Sequence, residues 1–354
     1  MALKVTKAST LKPHPADDKL GFGQIFTDHM FNMDYAPEKG WHDPRIDPYA
    51  PISADPAMLV FHYGQTIFEG LKAYRTPEGK IQLFRPQANL SRFNRSAEML
   101  CIPHFDEAEA LEHLKQLIAV EKDWVPSSLG TSLYIRPTII ATDIYLGVTA
   151  SKTYRFFTIL SPVGAYYAEG FAPIKILVTT EHVRASRQGI GEAKTAANYA
   201  ASILAGAKAA KAGYTQVLWL DAVERKYVEE VGSMNIFFVI DGELVTPALN
   251  GSILPGITRD SVLSMARHWG MPVSERNISI DEIFEANEAG KLDEVFGTGT
   301  AAVISPVGEL RYDEKVIHIR KNEVGPISQK LYDAITGIQF GQAEDPFGWI
   351  VPVD

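Results

Sequence analysis

The chain has 354 residues, 46% hydrophobic and 22% charged, with a formal net charge of −9. That length exceeds what a single hydrophobic core organises, so two domains are expected. The acidic balance without any Lys/Arg run argues against a nucleic-acid partner, no apolar run reaches membrane-spanning length, and a lone cysteine, Cys101, excludes an intrachain disulfide. Cys101 reads as a small hydrophobe at a buried helix end. The N-terminal stretch has no apolar signal core and no arginine before Arg45, so the expected location is the cytoplasm.

In chain order, residues 1–56 read as irregular, with Pro37, Pro44, Pro48, Pro51 and Pro56 breaking any pattern. Met58–Tyr63 and Lys80–Phe84 read as strands, and a helix starts near Asn89 or Ser91, both good N-cap types. Leu111, Leu114, Leu117 and Ile118 give residues 107–124 a helical apolar stripe. Leu133–Ile140 and Tyr154–Leu160 are strand-like. The glycines and prolines of Pro162–Pro173 mark a boundary. The expected domains are 1–164, a small N-terminal one, and 175–354, a larger one, joined by a loop over 165–174.

The second half opens with a strand over Ile174–Thr179 and an alanine-rich helix over Ala197–Ala212, stopped by Gly213. Val217–Leu220 and Ile236–Ile240 read as buried strands. Asp241-Gly242 before Leu244–Thr246 is a type I′ hairpin signal. Thr258–Trp269 is helical and ended by Gly270. Val273–Ile280, Glu294–Phe296 and Ala301–Val307 read as strands, and Pro326 opens a helix over Ile327–Ile335. Strands and helices mix without strict alternation, which favours α+β.

Lys194 is the candidate for chemistry. It lies in Gln188-Gly189-Ile190-Gly191-Glu192-Ala193-Lys194-Thr195-Ala196-Ala197-Asn198-Tyr199. An amine among small residues is readily desolvated, which favours its neutral, nucleophilic form; most lysines, however, are surface residues. A Schiff-base lysine working with pyridoxal phosphate needs an acid for the ring nitrogen and a phosphate cradle. In Glu229-Glu230-Val231-Gly232-Ser233-Met234-Asn235, two carboxylates run into an apolar segment. Glu230 is the candidate acid, while Glu229 reads as solvated. Leu254-Pro255-Gly256-Ile257-Thr258-Arg259 opens a helix, whose N–H groups suit phosphate, and Gly297-Thr298-Gly299-Thr300 ends a strand. Arg92 could add a bidentate phosphate contact, or be a surface helix arginine. Gly189-Ile190-Gly191 does not have the spacing of a dinucleotide fingerprint, and there is no HExxH metal motif and no GxSxG elbow.

Taken together these segments resemble the branched-chain amino acid aminotransferases of fold type IV. The match also covers Tyr63-Gly64-Gln65-Thr66-Ile67-Phe68-Glu69-Gly70-Leu71-Lys72-Ala73, Phe84-Arg85-Pro86, Asn89–Ser96, Leu133-Tyr134-Ile135-Arg136-Pro137 and Ser161–Tyr166. The resemblance implies a small N-terminal α/β domain and a larger C-terminal domain with a barrel-like β core. It implies pyridoxal 5′-phosphate as cofactor, a homodimer, and ping-pong exchange of amino groups between L-leucine, L-isoleucine or L-valine and 2-oxoglutarate. Lys194 is implied as the Schiff-base lysine and proton shuttle, Tyr199 as the partner of the cofactor phenolate and Glu230 as that of its pyridine nitrogen. Arg92, Ile257, Thr258 and Thr300 are implied as the phosphate cradle. Tyr63, Tyr134, Arg136, Thr300 and Ala301 fall to the substrate carboxylate. Phe68, Tyr134, Tyr166 and Val148 of the partner subunit fall to the aliphatic pocket.

Two departures stand out. Ala196-Ala197 replace a glycine pair common in the family, which would cost stability if the backbone there needs a positive φ. Ala302 and Ser305 stand where some members carry a Cys-x-x-Cys pair, so that thiol switch is absent. The competing readings are a D-amino acid aminotransferase or aminodeoxychorismate lyase of the same fold type, a catalytically silent metabolite-binding relative, and a cofactor-free lysine aldolase.

Overall fold

The computed structural model describes residues 2–164 and 171–353. The chain divides into two compact units. One takes in Met1–Tyr166, Ala193–Ala196 and Gly337–Asp354; the other takes in Tyr167–Glu192 and Ala197–Thr336.

The first unit contains β1 (Lys4–Val5), β2 (His29–Ala36), β3 (Gly40–Pro48), helix α1 (Leu59–Tyr63), β4 (Thr66–Phe68), β5 (Leu71–Arg75), β6 (Ile81–Phe84), helices α2 (Pro86–Met99) and α3 (Glu107–Val120), β7 (Ser132–Ala141) and β8 (Tyr154–Val163). With the C-terminal strand Ile350–Pro352 these form one sheet in the order β1-β3-β2-β8-β7-β5-β6-C-terminal strand, and β4 pairs with β7. The strands β2 and β3 correct the expectation that residues 1–56 are irregular. Pro44 misled that reading: it sits where the β2–β3 register shifts, beside Asp43 at φ 54°. A missing N–H is tolerated at such a bulge.

Leu59–Tyr63 is a helix, not a strand. Gly64 adopts φ 61° and returns its N–H to the Val60 carbonyl, so a glycine C-cap overrides the β-prone residues before it. Helix α2 starts earlier than expected, with Pro86 in its first turn after Arg85 at φ 52°. Asp106 caps α3 by accepting from Glu109 N–H, and Ala110, Leu114, Leu117 and Ile118 form its buried face. Cys101 is a further correction: it is exposed, in a turn after α2 at φ 55°. Along β7, Leu133, Ile135 and Ile139 join the hydrophobic core while Tyr134 and Arg136 take the alternate positions. A strand's two-residue period therefore keeps both side chains off the core face.

The second unit contains β9 (Ile174–Val178), α4 (Ala196–Lys211) from Ala197 on, β10 (Gln216–Leu220), β11 (Val228–Val231), β12 (Met234–Ile240), β13 (Glu243–Thr246), α5 (Ile257–His268), β14 (Val273–Glu275), α6 (Ile280–Glu288), β15 (Leu292–Gly299), β16 (Val303–Tyr312), β17 (Lys315–His318) and α7 (Pro326–Gln339) as far as Thr336. The strand path β11-β10-β9-β16-β15-β12 closes on itself through the β11–β12 pairing, which makes a barrel. Ile176, Leu218, Val231, Ile236, Phe238, Val295 and Leu310 belong to its buried cluster. Asp241 at φ 52° and Gly242 at φ 78° make the expected hairpin turn between β12 and β13. The strand expected over Val273–Ile280 stops at Glu275. Ser279 then caps α6 by accepting from Glu282 N–H, a start signal hidden inside a β-prone run. The α+β class and barrel-like C-terminal core match the expectation from the sequence.

Candidate active site

Lys194 is tied to the first unit by its backbone. Its carbonyl accepts from Phe68 N–H at 3.0 Å and its N–H donates to Ser96 Oγ at 2.9 Å. Next to it, Thr195 bridges Ile67 and donates its hydroxyl to the Thr66 carbonyl at 2.7 Å. The chain at Lys194 thus runs along β4 like an extra strand. Its Nζ lies 5.0 Å from the centre of the Phe68 ring. The Arg136 guanidinium lies 4.7 Å from the same ring and donates to Tyr134 Oη at 3.0 Å. Gly70 makes room for that hydroxyl, because a Cβ there would collide with Tyr134 Oη. Arg136 Nε is buried without a hydrogen-bond partner, a donor suited to an anion.

Sequence reasoning missed Glu69. It is 0% exposed and Arg92 only 3%. Arg92 Nε donates to Oε1 at 2.7 Å and Nη2 to Oε2 at 2.9 Å, while Asn89 Nδ2 donates to Oε2 at 2.8 Å. Burial alone would push this carboxyl up. The charge and hydrogen bonds of Arg92, the charge of Lys194 and the Asn89 bond outweigh burial and hold it down. The available signal was a lone carboxylate inside Ile67-Phe68-Glu69-Gly70-Leu71, a segment otherwise free of charge. Arg92 is therefore no surface arginine. Lys72, opposite Tyr134 in the β5–β7 register, is buried too, and desolvation brings its amine down to about 8.

In the second unit Glu230 lies on β11, buried, with Oε2 3.1 Å from Arg184 Nε and Oε1 accepting from Leu254 N–H at 2.7 Å. Asn235 Nδ2 holds the Leu254 carbonyl at 2.9 Å. Strands β11 and β12 thus fix the turn that leads into α5. Gly256 is the N-cap of α5 and supplies no capping side chain; a Cβ on it would strike Asn235 Oδ1. Ile257 and Thr258 follow as the first helical residues. Arg184 also donates to the Gly191 carbonyl at 3.1 Å and closely to the Ser252 carbonyl. Gly191 is required there, since a Cβ would meet the Ser252 backbone.

Glu229 corrects the expectation of a solvated residue: it is 2% exposed, accepts from Ser252 Oγ, and burial raises its carboxyl. Tyr199 is half-buried in the second turn of α4. Thr300 and Ala301 form the turn between β15 and β16, both half-buried. Tyr63 donates its hydroxyl to the Leu146 carbonyl, and Val148 is 84% exposed. Tyr166 lies outside the described residues. Ala196 and Ala197 start α4 and neither has a positive φ. The glycine pair is dispensable because this backbone is ordinary helix.

Residues 66–310 match the family model of amino-transferase class IV. Two proteins of Bacillus subtilis (strain 168) align over nearly their whole length. Branched-chain-amino-acid aminotransferase 2 is 59% identical over 99% of this chain and 97% of its own, and branched-chain-amino-acid transaminase 1 is 58% identical over 97% and 96%. Among solved structures, the branched-chain amino acid aminotransferase of Thermobaculum terrenum in its pyridoxal-phosphate form superposes with a TM-score of 0.75 at 25% identity, covering 94% of this chain and 100% of that one. The chain belongs to the class IV aminotransferases. Within them, it is a member of the branched-chain amino acid aminotransferases of fold type IV.

Proposed function

We propose that this chain exchanges amino groups between L-leucine, L-isoleucine or L-valine and 2-oxoglutarate, with pyridoxal 5′-phosphate as cofactor. The observation that carries the reading is the strand-like tethering of Lys194 to β4, which holds its amine beside the Phe68 ring. The relatives aligned end to end and the pyridoxal-phosphate form of the Thermobaculum terrenum enzyme support it.

The residues present fit the cofactor. The start of α5, whose N-cap Gly256 has no capping side chain, suits a phosphate, Arg92 is a buried guanidinium, and Glu230 is a buried carboxylate already held by a cation and an N–H. Arg92, the amides of Ile257 and Thr258, and Thr300 would hold the phosphate. Glu230 would keep a proton on the ring nitrogen, and Tyr199 would hydrogen-bond the phenolate oxygen. Bound there, pyridoxal phosphate supplies an aldehyde carbon and an electron-accepting ring.

Lys194 would hold that carbon through its amine, and the same amine would carry the proton at the substrate α-carbon. Arg136, with Tyr63, Tyr134 and the Thr300 and Ala301 segment, receives the substrate carboxylate. Phe68, Tyr134 and Val148 of the partner subunit enclose the aliphatic side chain, so the active assembly is a homodimer. We assign 1–164 to an N-terminal domain and 175–354 to a C-terminal one, with 165–174 between them; within the second range, 193–196 and 337–354 cluster with the first unit. The cytoplasm, where free amino acids and 2-oxo acids occur together, is the proposed location; among the described residues no helix is long and apolar enough to cross a membrane.

The test is borohydride reduction of the purified yellow protein followed by peptide mass spectrometry. The cofactor mass should appear on Lys194; its appearance on another lysine, or on none, overturns the mechanism. A donor panel of L-leucine, L-isoleucine, L-valine and D-alanine then tests the substrate class, and a preference for D-alanine overturns it.

A further inference from the structure

We infer that Glu69 is a positioning residue: it fixes the guanidinium of Arg92 in the orientation from which Arg92 holds the cofactor phosphate. The inference rests on the role proposed above for Arg92. Both oxygens of Glu69 are engaged by one arginine, Oε1 by Nε and Oε2 by Nη2. A fork of this kind sets the plane of the guanidinium as well as its distance. The carboxylate is itself held: Asn89, one helical turn before Arg92 on α2, donates to Oε2, and Gly70 N–H donates to the same oxygen at 3.1 Å. Neither partner of the pair reaches solvent appreciably, so salt does little to loosen it.

Two effects of Glu69 on a nearby phosphate oppose each other. Its negative charge repels the anion, whereas its fork keeps the flexible arginine out of unproductive rotamers. The substitution Glu69→Gln separates them. The amide removes the charge, which alone would tighten phosphate binding. It also sets an NH₂ donor against an arginine N–H donor, so the fork cannot form and the guanidinium turns to find another acceptor. A buried cation that has lost its partner relaxes strongly, so orientation outweighs repulsion and phosphate binding weakens.

The full chain, stripped of cofactor, is titrated with pyridoxal phosphate and, separately, with pyridoxal, which lacks the phosphate. Glu69→Gln is expected to weaken pyridoxal phosphate by about tenfold or more while leaving pyridoxal unchanged. Asn89→Ala keeps both charges and loosens only the tether, and should give a smaller loss, about threefold, with the same selectivity. An equal loss for both ligands, or tighter binding of pyridoxal phosphate, overturns the inference. Arg92→Lys distinguishes the two readings. If it does not selectively weaken pyridoxal phosphate, the assignment of Arg92 to the phosphate fails. If it does while Glu69→Gln does not, only the role of Glu69 fails. Should Glu69→Gln not fold, an unselective Asn89→Ala overturns the inference.

Discussion

Each unit pairs a buried arginine with a buried glutamate, Arg92 with Glu69 and Arg184 with Glu230, and the two pairs are built differently. In the first unit both oxygens of Glu69 face Arg92, and further donors from Asn89 and Gly70 converge on the same carboxylate. In the second, Glu230 meets Arg184 through one close approach and gives its other oxygen to Leu254 N–H, while Arg184 directs donors to the Gly191 and Ser252 carbonyls. The first pair fixes an arginine. The second fixes backbone: it ties the loop before Lys194, the turn before α5 and strand β11 to one another. A buried ion pair is therefore not one device. Where its remaining hydrogen bonds go decides whether it orients a side chain or staples loops.

The sharpest test of that contrast is to remove one partner from each pair. Glu69→Ala leaves Arg92 buried with its principal acceptor gone and should cost about 3–5 kcal/mol in denaturant unfolding. Arg184→Ala should cost less, about 2–3 kcal/mol, because Leu254 N–H still serves the Glu230 carboxylate. An equal or reversed order would erase the distinction.

Lys72 supplies the case of a cation whose amine is governed by burial. Its amine is brought down from 10.5 to about 8, so the folded state gives up the proton before the unfolded chain does. The native protein should therefore gain stability as pH rises from about 8 to 10.5, where the unfolded state binds more protons. Lys72→Met removes that slope. The variant should exceed the native protein by up to about 3 kcal/mol at about pH 7, with the gap closing across that window. A pH-independent difference would show that desolvation is not what governs Lys72.

Gly191→Ala probes the stapling directly. A Cβ there meets the Ser252 backbone, which must move away from Arg184, at a cost of about 1–3 kcal/mol. Thermal melts of the variant alone and combined with Arg184→Ala should show less than additive losses.

Much of this fold is legible because alternation and helical stripes follow burial directly. Strands β7 and β8, helices α3 and α5 and the Asp241-Gly242 hairpin are examples. The failures share a cause: a local signal overruled by something not local. Pro44 hid β3 because a bulge absorbs it, and Gly64 turned a β-prone segment into α1. Among the candidate residues, Lys194, Glu230 and the Gly256 turn stood out from residue type and neighbours. Glu69 and Glu229 were not, because a carboxylate's burial depends on partners that the sequence places 23 residues away in both cases, Arg92 and Ser252.

Residues Ala193–Ala196 belong to the first unit although the chain on either side of them belongs to the second. Lys194 is thus a loan from one segment of the chain to the sheet of another. A fragment ending at residue 164 would leave the Phe68 N–H without the Lys194 carbonyl and Ile67 without its bridge to Thr195. Neither half of the gene, expressed alone, would carry both the amine and the strand that aims it. Recombination between relatives that cuts near residue 165 must therefore preserve the fit between β4 and the four residues around Lys194, which makes that fit a constraint on how such enzymes can be shuffled.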